Sequence, residues 1–320
     1  MRHIHGPSHL DGLGLDWRVL DQNRPVRDSD IPDADLVIAT WWETAEWVAK
    51  LSPNKGAKAY FIQLDERTVV PDDVSWGHRV AKTWLLPMYK IATSGVVKIA
   101  VEKEIKVKNG HIPVVEIGVD IEQFNAAPRN KQLTPRVGFL YETTPRKGPD
   151  VALSVAEIVR SKLPRTEFAV LTSSKTVNKA ALPAGALLNV QPTTSQLREL
   201  YSACDVWLCT SRCEGFHLPP MEAMACRCPV VSTRVGGPID MIEDGINGFL
   251  LNVDDVKGLA ERVLEILKLS DLQWRTMSDA AYSKASDYTW EAATIAFEKT
   301  LFKAAENSGQ LELGRTVGSQ

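Results

Sequence analysis

The sequence predicts an α/β protein of two parallel-sheet domains. Short β-rich runs alternate with longer helical ones, which is the pattern of βα units. The alternation breaks at a polar stretch, NAAPRNKQLTPR (125–136), and then restarts. With 320 residues, 44% of them hydrophobic, the chain is long enough for two separate cores.

In the first half, WRVLD (17–21), DLVIAT (35–40), AYFIQL (59–64), KIATS (90–94) and VVEIGV (114–119) read as strands. Between them WWETAEWVAKL (41–51), WGHRVAKTWLL (76–86) and VVKIAVEKEIKV (96–107) read as helices. After the polar stretch come VGFLY, the helix PDVALSVAEIVRSKL, EFAVLTS, ALLNVQ, the helix TSQLRELYSAC and DVWLCT. PVVST, GFLLNV and the helix VKGLAERVLEILKL complete a doubly wound domain. A last helix, TWEAATIAFEKTLFKAAE (289–306), has Thr289 as its N-cap. These readings divide the chain into domains at 1–128 and 129–304. The segment 305–320 loses all periodicity and is expected to be disordered.

The net charge of −3 leaves no electrostatic footprint for a polyanion, so nucleic acid is not an expected partner and any anionic ligand must be held locally. The five cysteines (Cys204, Cys209, Cys213, Cys226, Cys228) are odd in number and scattered, as expected in a reducing compartment. Their spacing admits zinc half-sites, but no histidine follows at ligand distance, and buried free thiols are the simpler reading. No apolar run approaches the roughly 18 residues of a membrane span, and the opening RHIHGPSHLDG is no signal peptide, so a cytoplasmic location is expected.

Doubly wound domains bind ligands at the carboxyl ends of their strands, so a cleft between two facing domains is the expected site. The stretch SRCEGFHLPPMEAMACRCPVV (211–231) falls at such an end. Pro219 and Pro220 suit the first turn of a helix, and the N–H groups of Gly215, Phe216, His217 and Leu218 are placed to meet a phosphate, with a helix dipole behind them. Glu214 would end the strand and Glu222 would sit in the first helical turn, so the two carboxylates flank one bound molecule. Carboxylates only accept, and hydroxyl groups are their natural partners. A nucleotide sugar offers a ribose on one side and a hexose on the other. The alternative is a plain capped helix start with a solvated Glu222.

The run EGFHLPPMEAMACRCPVVSTRVGGPIDMIEDGINGFLL resembles the E-x7-E donor-site signature of glycosyltransferase family four, retaining enzymes of the GT-B fold. IGVDIEQF (117–124) and RKG (146–148) resemble two further marks of that family. The resemblance covers about residues 114 to 300 and implies two Rossmann-like domains facing a central cleft. It implies that Glu214 binds donor hexose hydroxyls, that Glu222 binds the ribose, and that Lys147 contacts the diphosphate. The Gly215–Leu218 backbone would cradle the distal phosphate. No metal and no other cofactor is implied: the lysine and the helix N-terminus stabilise the departing nucleoside diphosphate. On this reading Glu214 and Lys147 are catalytic, while Glu222, Gly215, Phe216, His217, Leu218 and Arg146 bind the donor.

The sequence departs from the family pattern at several points. Phe139 stands where an arginine is usual, with Arg146 as a substitute, and His217 stands where a glycine is common. Asp65 and Glu66 occupy the place of a first-domain histidine. No strand, glycine-rich loop and helix precede LDWRVLD, so the first domain is expected to be incomplete, lacking on the order of 50 residues, about one strand–helix–strand unit. Gly236 and Gly237 either shape a second loop at the donor or only permit a tight turn. Trp41, Trp42 and Trp47 either stack on an acceptor sugar or pack a core. KIAVEKEIKVK (98–108) is a solvated helix face more readily than a membrane patch, though peripheral membrane association stays open. His78 and His111 are assigned no role by the sequence alone.

The function implied is transfer of a hexose from a nucleoside-diphosphate sugar to a saccharide, lipid-linked or other hydroxyl acceptor, as in assembly of a surface polysaccharide. The alternatives are a donor-binding remnant without transfer and a GT-B sugar-nucleotide epimerase.

Overall fold

The structure is a computed structural model that describes residues 10–20, 22–106 and 112–308. The first unit holds β1 (Leu36–Ala39), α1 (Trp42–Val48), β2 (Ala57–Ile62), α2 (Val74–Trp84), β3 (Tyr89–Ala92) and α3 (Gly95–Ile105). Its strands are parallel in the order β1-β2-β3, with Leu36 beside Ala57 and Ala59 beside Tyr89. Asp73 caps α2 by accepting from the Trp76 N–H, and Ser94 caps α3 through the Val97 N–H. The buried faces of these helices bring Trp42, Trp84 and Val97 onto Tyr60 and Ile62. Trp42 is core, and Trp41 packs edge-on to Trp76.

The second unit is a six-stranded parallel sheet, ordered β6-β5-β4-β7-β8-β9. It comprises β4 (Arg136–Leu140), α4 (Pro149–Lys162), β5 (Glu167–Thr172), β6 (Leu187–Val190), α5 (Thr194–Ser202) and β7 (Val206–Cys209). The chain continues through α6 (Leu218–Ala225), β8 (Val230–Thr233), α7 (Pro238–Met241), β9 (Gly248–Leu251), α8 (Val256–Lys268), α9 (Asp271–Ser286) and α10 (Trp290–Asn307). From β4 the chain winds outward to β5 and β6, then returns to lay β7 on the other side of β4. The loops after β4 and β7 therefore leave the sheet side by side, at a topological switch point where doubly wound sheets bind ligands. The linker is tied to this unit, since Arg129 pairs with the buried Asp205 at 3.0 Å.

Four expectations need correction. Residues 17–20 form no strand: they follow turns at Gly12 and Gly14 and are largely exposed, and Asp21 lies outside the described residues. The run 114–119 makes only single bridges, Val114 to Ala92 and Val119 to Thr289, because Pro113 precedes it and the chain is already leaving β3. The α3 helix stops at Ile105, where Lys106 turns left-handed, and residues 107–111, His111 included, lie outside the described part. The segment 305–320 begins helical, since α10 runs to Asn307; 309–320 lie outside the described residues.

The last helix also redraws the domain division. Instead of staying with residues 129–304, α10 returns to the first sheet, where Phe297 meets Phe61 at 5.1 Å between ring centroids. Gly118 makes the crossing possible, because a Cβ there would overlap the Thr289–Trp290 main chain.

Candidate functional site

The loop after β4 contains a short 3-10 turn, Pro145–Lys147, and ends at Gly148, whose left-handed φ of 61° starts α4. The loop after β7 clamps that turn. Thr210 Oγ1 donates to the Gly148 carbonyl at 2.9 Å, and the Arg212 N–H donates to the Arg146 carbonyl at 2.7 Å. The Arg212 guanidinium adds bonds to the Pro145 carbonyl, Asp150 and Asp254. Both cationic side chains of the turn are thereby aimed at Glu214.

Lys147 Nζ lies 2.6 Å from Glu214 Oε1, Arg146 Nη1 lies 3.1 Å from Oε2, and Ser211 Oγ donates to Oε1 at 2.7 Å. Burial pushes the Glu214 carboxyl up, but the pull of His217 and Lys147 and the hydrogen bonds from Lys147 and Ser211 outweigh it, holding the pKa at about 2. Burial lowers His217 to about 4, with Lys147 and Arg146 acting in the same direction against Glu214. At neutral pH the site thus holds an ionised glutamate, two cations and a neutral imidazole.

His217 takes a left-handed φ of 75°, a conformation that glycine adopts freely and histidine rarely does. It ends the loop from which α6 starts. Among the described residues, the N–H groups of Gly215, Phe216, His217 and Leu218 have no acceptor, and Pro219 and Pro220 have no N–H to offer. The Gly236–Gly237 loop seats against this segment: the Gly237 N–H donates to the Phe216 carbonyl at 2.8 Å, and a Cβ on Gly236 would crowd Gly215 and Glu214. Those glycines permit a turn and shape the site as well.

Glu222 is not in the first turn as expected. Because α6 begins at Leu218, Glu222 falls in the second turn, facing α5, where it accepts from the Tyr201 hydroxyl at 2.8 Å. Burial raises its pKa. Two cavities result. One, of 340 Å³, is lined by Arg146, Lys147, the 214–218 segment and first-unit residues Gln63 and Leu64. The other, of 250 Å³, holds Glu222, Tyr201, Leu171 and Gln191. Pro219 lines both, so the two carboxylates stand on either side of one proline. A larger cavity of 460 Å³ beside α10 shares only Ile117 with the first; Glu116, Asp240 and Asp287 line it and make it a poor seat for phosphate.

Sequence reasoning missed Ser211, Tyr201, Arg212 and Gln63. A Cβ on Gly215 would overlap the Gln63 carbonyl oxygen, so here the two units meet backbone to backbone. Phe139 is fully buried against Phe168, which leaves Arg146 as the second cation. Of the two proposed histidine substitutes, Asp65 is paired to Arg67 and Glu66 is buried with Tyr60, and neither lines the 340 Å³ cavity. Among the described residues no three or more His, Cys, Asp or Glu side chains gather to hold a metal ion, and all five cysteines are free.

Residues 134–269 match the family model described as Glycosyl transferases group 1. This segment is similar to a group 1 glycosyltransferase domain. It contains Arg146, Lys147, Glu214, His217 and Glu222, whereas Gln63 and Leu64 reach the site from outside it. The D-inositol 3-phosphate glycosyltransferase of Mycobacterium tuberculosis is 31% identical over 207 residues, covering 58% of this chain and 42% of that protein. The sucrose synthase of Acidithiobacillus caldus is 35% identical over 111 residues, covering 33% of this chain and 14% of that protein. The chain thus spans less than half the length of these relatives. Among solved structures, TarM superposes with a TM-score of 0.71 at 19% identity, covering 86% of this chain and 56% of TarM. Anabaena HepE, solved with UDP and glucose, gives 0.69 at 19% identity, covering 84% and 78%. The chain therefore has the GT-B fold of these structures, with the matched segment 134–269 within it.

Proposed function

We propose that this chain is a retaining glycosyltransferase that moves a hexose from a nucleoside-diphosphate sugar to a hydroxyl of a saccharide or lipid-linked acceptor. One observation carries the reading: Arg146 and Lys147 converge on a buried, ionised Glu214 at the sheet's switch point, beside four N–H groups that have no acceptor. Two cations and a helix N-terminus suit a diphosphate. Glu214 and Glu222, one per cavity, suit the hexose and ribose hydroxyls respectively. HepE, solved with UDP-glucose, supports a uridine donor.

In this mechanism the bond from the anomeric carbon to the diphosphate oxygen breaks as the acceptor oxygen approaches the same face. The acceptor proton passes to the departing phosphate oxygen. Lys147, Arg146 and the α6 N–H groups hold the negative charge that develops there, and this is where their stabilisation lowers the barrier. The sugar's anomeric configuration is kept without a covalent nucleophile. The unpaired thiols fit a reducing cytoplasm, and no helix among the described residues is long and apolar enough to cross a membrane.

Calorimetric titration with UDP, GDP and their common sugar conjugates tests the donor site. Saturable binding is expected, and a folded chain that binds none of them refutes the reading. Among the described residues the first sheet has three strands against six in the second, which favours a second reading in which the donor is bound but not transferred. Product analysis separates the two, since only transfer yields a new glycoside.

A further inference from the structure

Of the two ring nitrogens of His217, Nδ1 is fully buried without a hydrogen-bond partner among the described residues, whereas Nε2 has none either but is not fully buried, and His217 lines the 340 Å³ cavity. Nε2 faces the cavity, where a ligand hydroxyl can take the place of solvent as its partner. It lies 3.8 Å from Glu214 Oε1. That is too long for a direct hydrogen bond, yet it matches a gap that one hydroxyl oxygen spans at about 2.8 Å from each side. The neighbouring carboxylate favours the tautomer with its proton on Nε2, which leaves a lone pair on the buried Nδ1.

A bridging group must therefore accept from Nε2–H and donate to Oε1. A hydroxyl does both, whereas a phosphate oxygen has no proton to give. Oε1 already accepts from Lys147 and Ser211. A diphosphate that draws Lys147 toward itself would free one of those positions for the hydroxyl.

Resting on the donor-site reading above, we propose that the His217 imidazole is a specificity residue that, with Glu214, clasps one hydroxyl of the donor hexose once the diphosphate has engaged Lys147. The side chain is then the reason this chain carries histidine at a left-handed position. The backbone argues for glycine there, and the hexose hydroxyl argues for the ring.

The test is a thermodynamic cycle on the full chain. Wild type and His217→Gly are titrated with UDP, with UDP-glucose, UDP-galactose and UDP-N-acetylglucosamine, and with deoxyfluoro analogues of the best of these. Glycine suits the positive φ, so the variant should fold, and its melting curve checks that. The variant should bind UDP within about twofold of wild type and the intact nucleotide sugar about tenfold more weakly. It should also lose the wild type's discrimination against the one analogue whose bridging hydroxyl is now fluorine, a non-additivity that marks direct contact. Equal losses for UDP and the nucleotide sugar would show that His217 only shapes the loop and would overturn the proposal, as would no loss at all. A wild type that binds neither UDP nor any conjugate, when GDP and its conjugates are also refused, removes the donor-site reading itself.

Discussion

Replacing Glu222 by glutamine tests the ribose side of the site. The Tyr201 hydroxyl holds Oε2 at 2.8 Å, and Oε1 has no hydrogen-bond partner among the described residues. The side chain is thus oriented before a ligand arrives, with one oxygen left for it. A hydrogen bond from a ribose hydroxyl to a carboxylate contributes about 1.5 to 3 kcal/mol, against about 1 kcal/mol for the neutral amide. Glu222→Gln should therefore raise the Kd for the nucleoside diphosphate roughly two- to thirtyfold. Because burial raises the Glu222 pKa, wild-type affinity should climb as pH rises through that value, while the variant, which cannot ionise, should show a flatter profile. Calorimetry across pH measures both effects, with the 2′,3′-dideoxy nucleotide as a control that offers no ribose hydroxyls. If the substitution weakens the dideoxy nucleotide as much as the natural one, Glu222 acts by supporting α6 and the ribose assignment is wrong.

Lys147→Ala should lower kcat more than it weakens donor binding, because its charge matters most as the diphosphate departs; equal losses in steady-state and binding measurements would indicate uniform binding instead. Gly215→Ala should lower the melting temperature, by about 1 to 3 kcal/mol in stability, and weaken donor binding, since its Cβ meets the Gln63 carbonyl across the interface; an unchanged melt would refute that close approach. Burial raises the folded-state pKa of Glu66 from 4.5 to about 7, so its neutral form favours the fold below about pH 4.5 and that contribution is lost as pH rises through about 7. Glu66→Gln should accordingly gain about 3 kcal/mol of stability relative to wild type between about pH 5 and pH 8; parallel pH profiles of thermal melting would show that the carboxyl is not buried as described.

Much of the second unit was legible because its signals are local. Apolar β-branched runs and the Pro-Pro helix start mark β7 and α6 whatever surrounds them. The glutamate pair was legible as a pair, but its register was not: whether α6 begins at Leu218 or a residue later decides which turn holds Glu222, and helix ends are set by tertiary packing. The helix α9 went unread although Ser270 and Gln273 form a reciprocal capping box, because its buried face mixes Trp274 and Met277 with Ser278, Ala281 and Ala285 and gives a weak apolar period. Gln63 was illegible for a different reason: it meets Gly215 through its backbone carbonyl, which every residue type carries. Phe139 was legible as a departure, and its burial supplies the physical content, since a side chain on that face of β4 points into the core.

The return of α10 to the first sheet has a consequence for the order of assembly. Phe61 and Phe297 lie far apart in sequence, so the face of β2 turned away from the first unit's core is covered by a highly non-local contact, whereas the buried residues of that core all lie within 39–112. The second unit, by contrast, needs nothing made after α9 to close its sheet and cover both faces. Each unit can therefore build its own core from its own segments, and what waits for α10 is the second face of the first sheet.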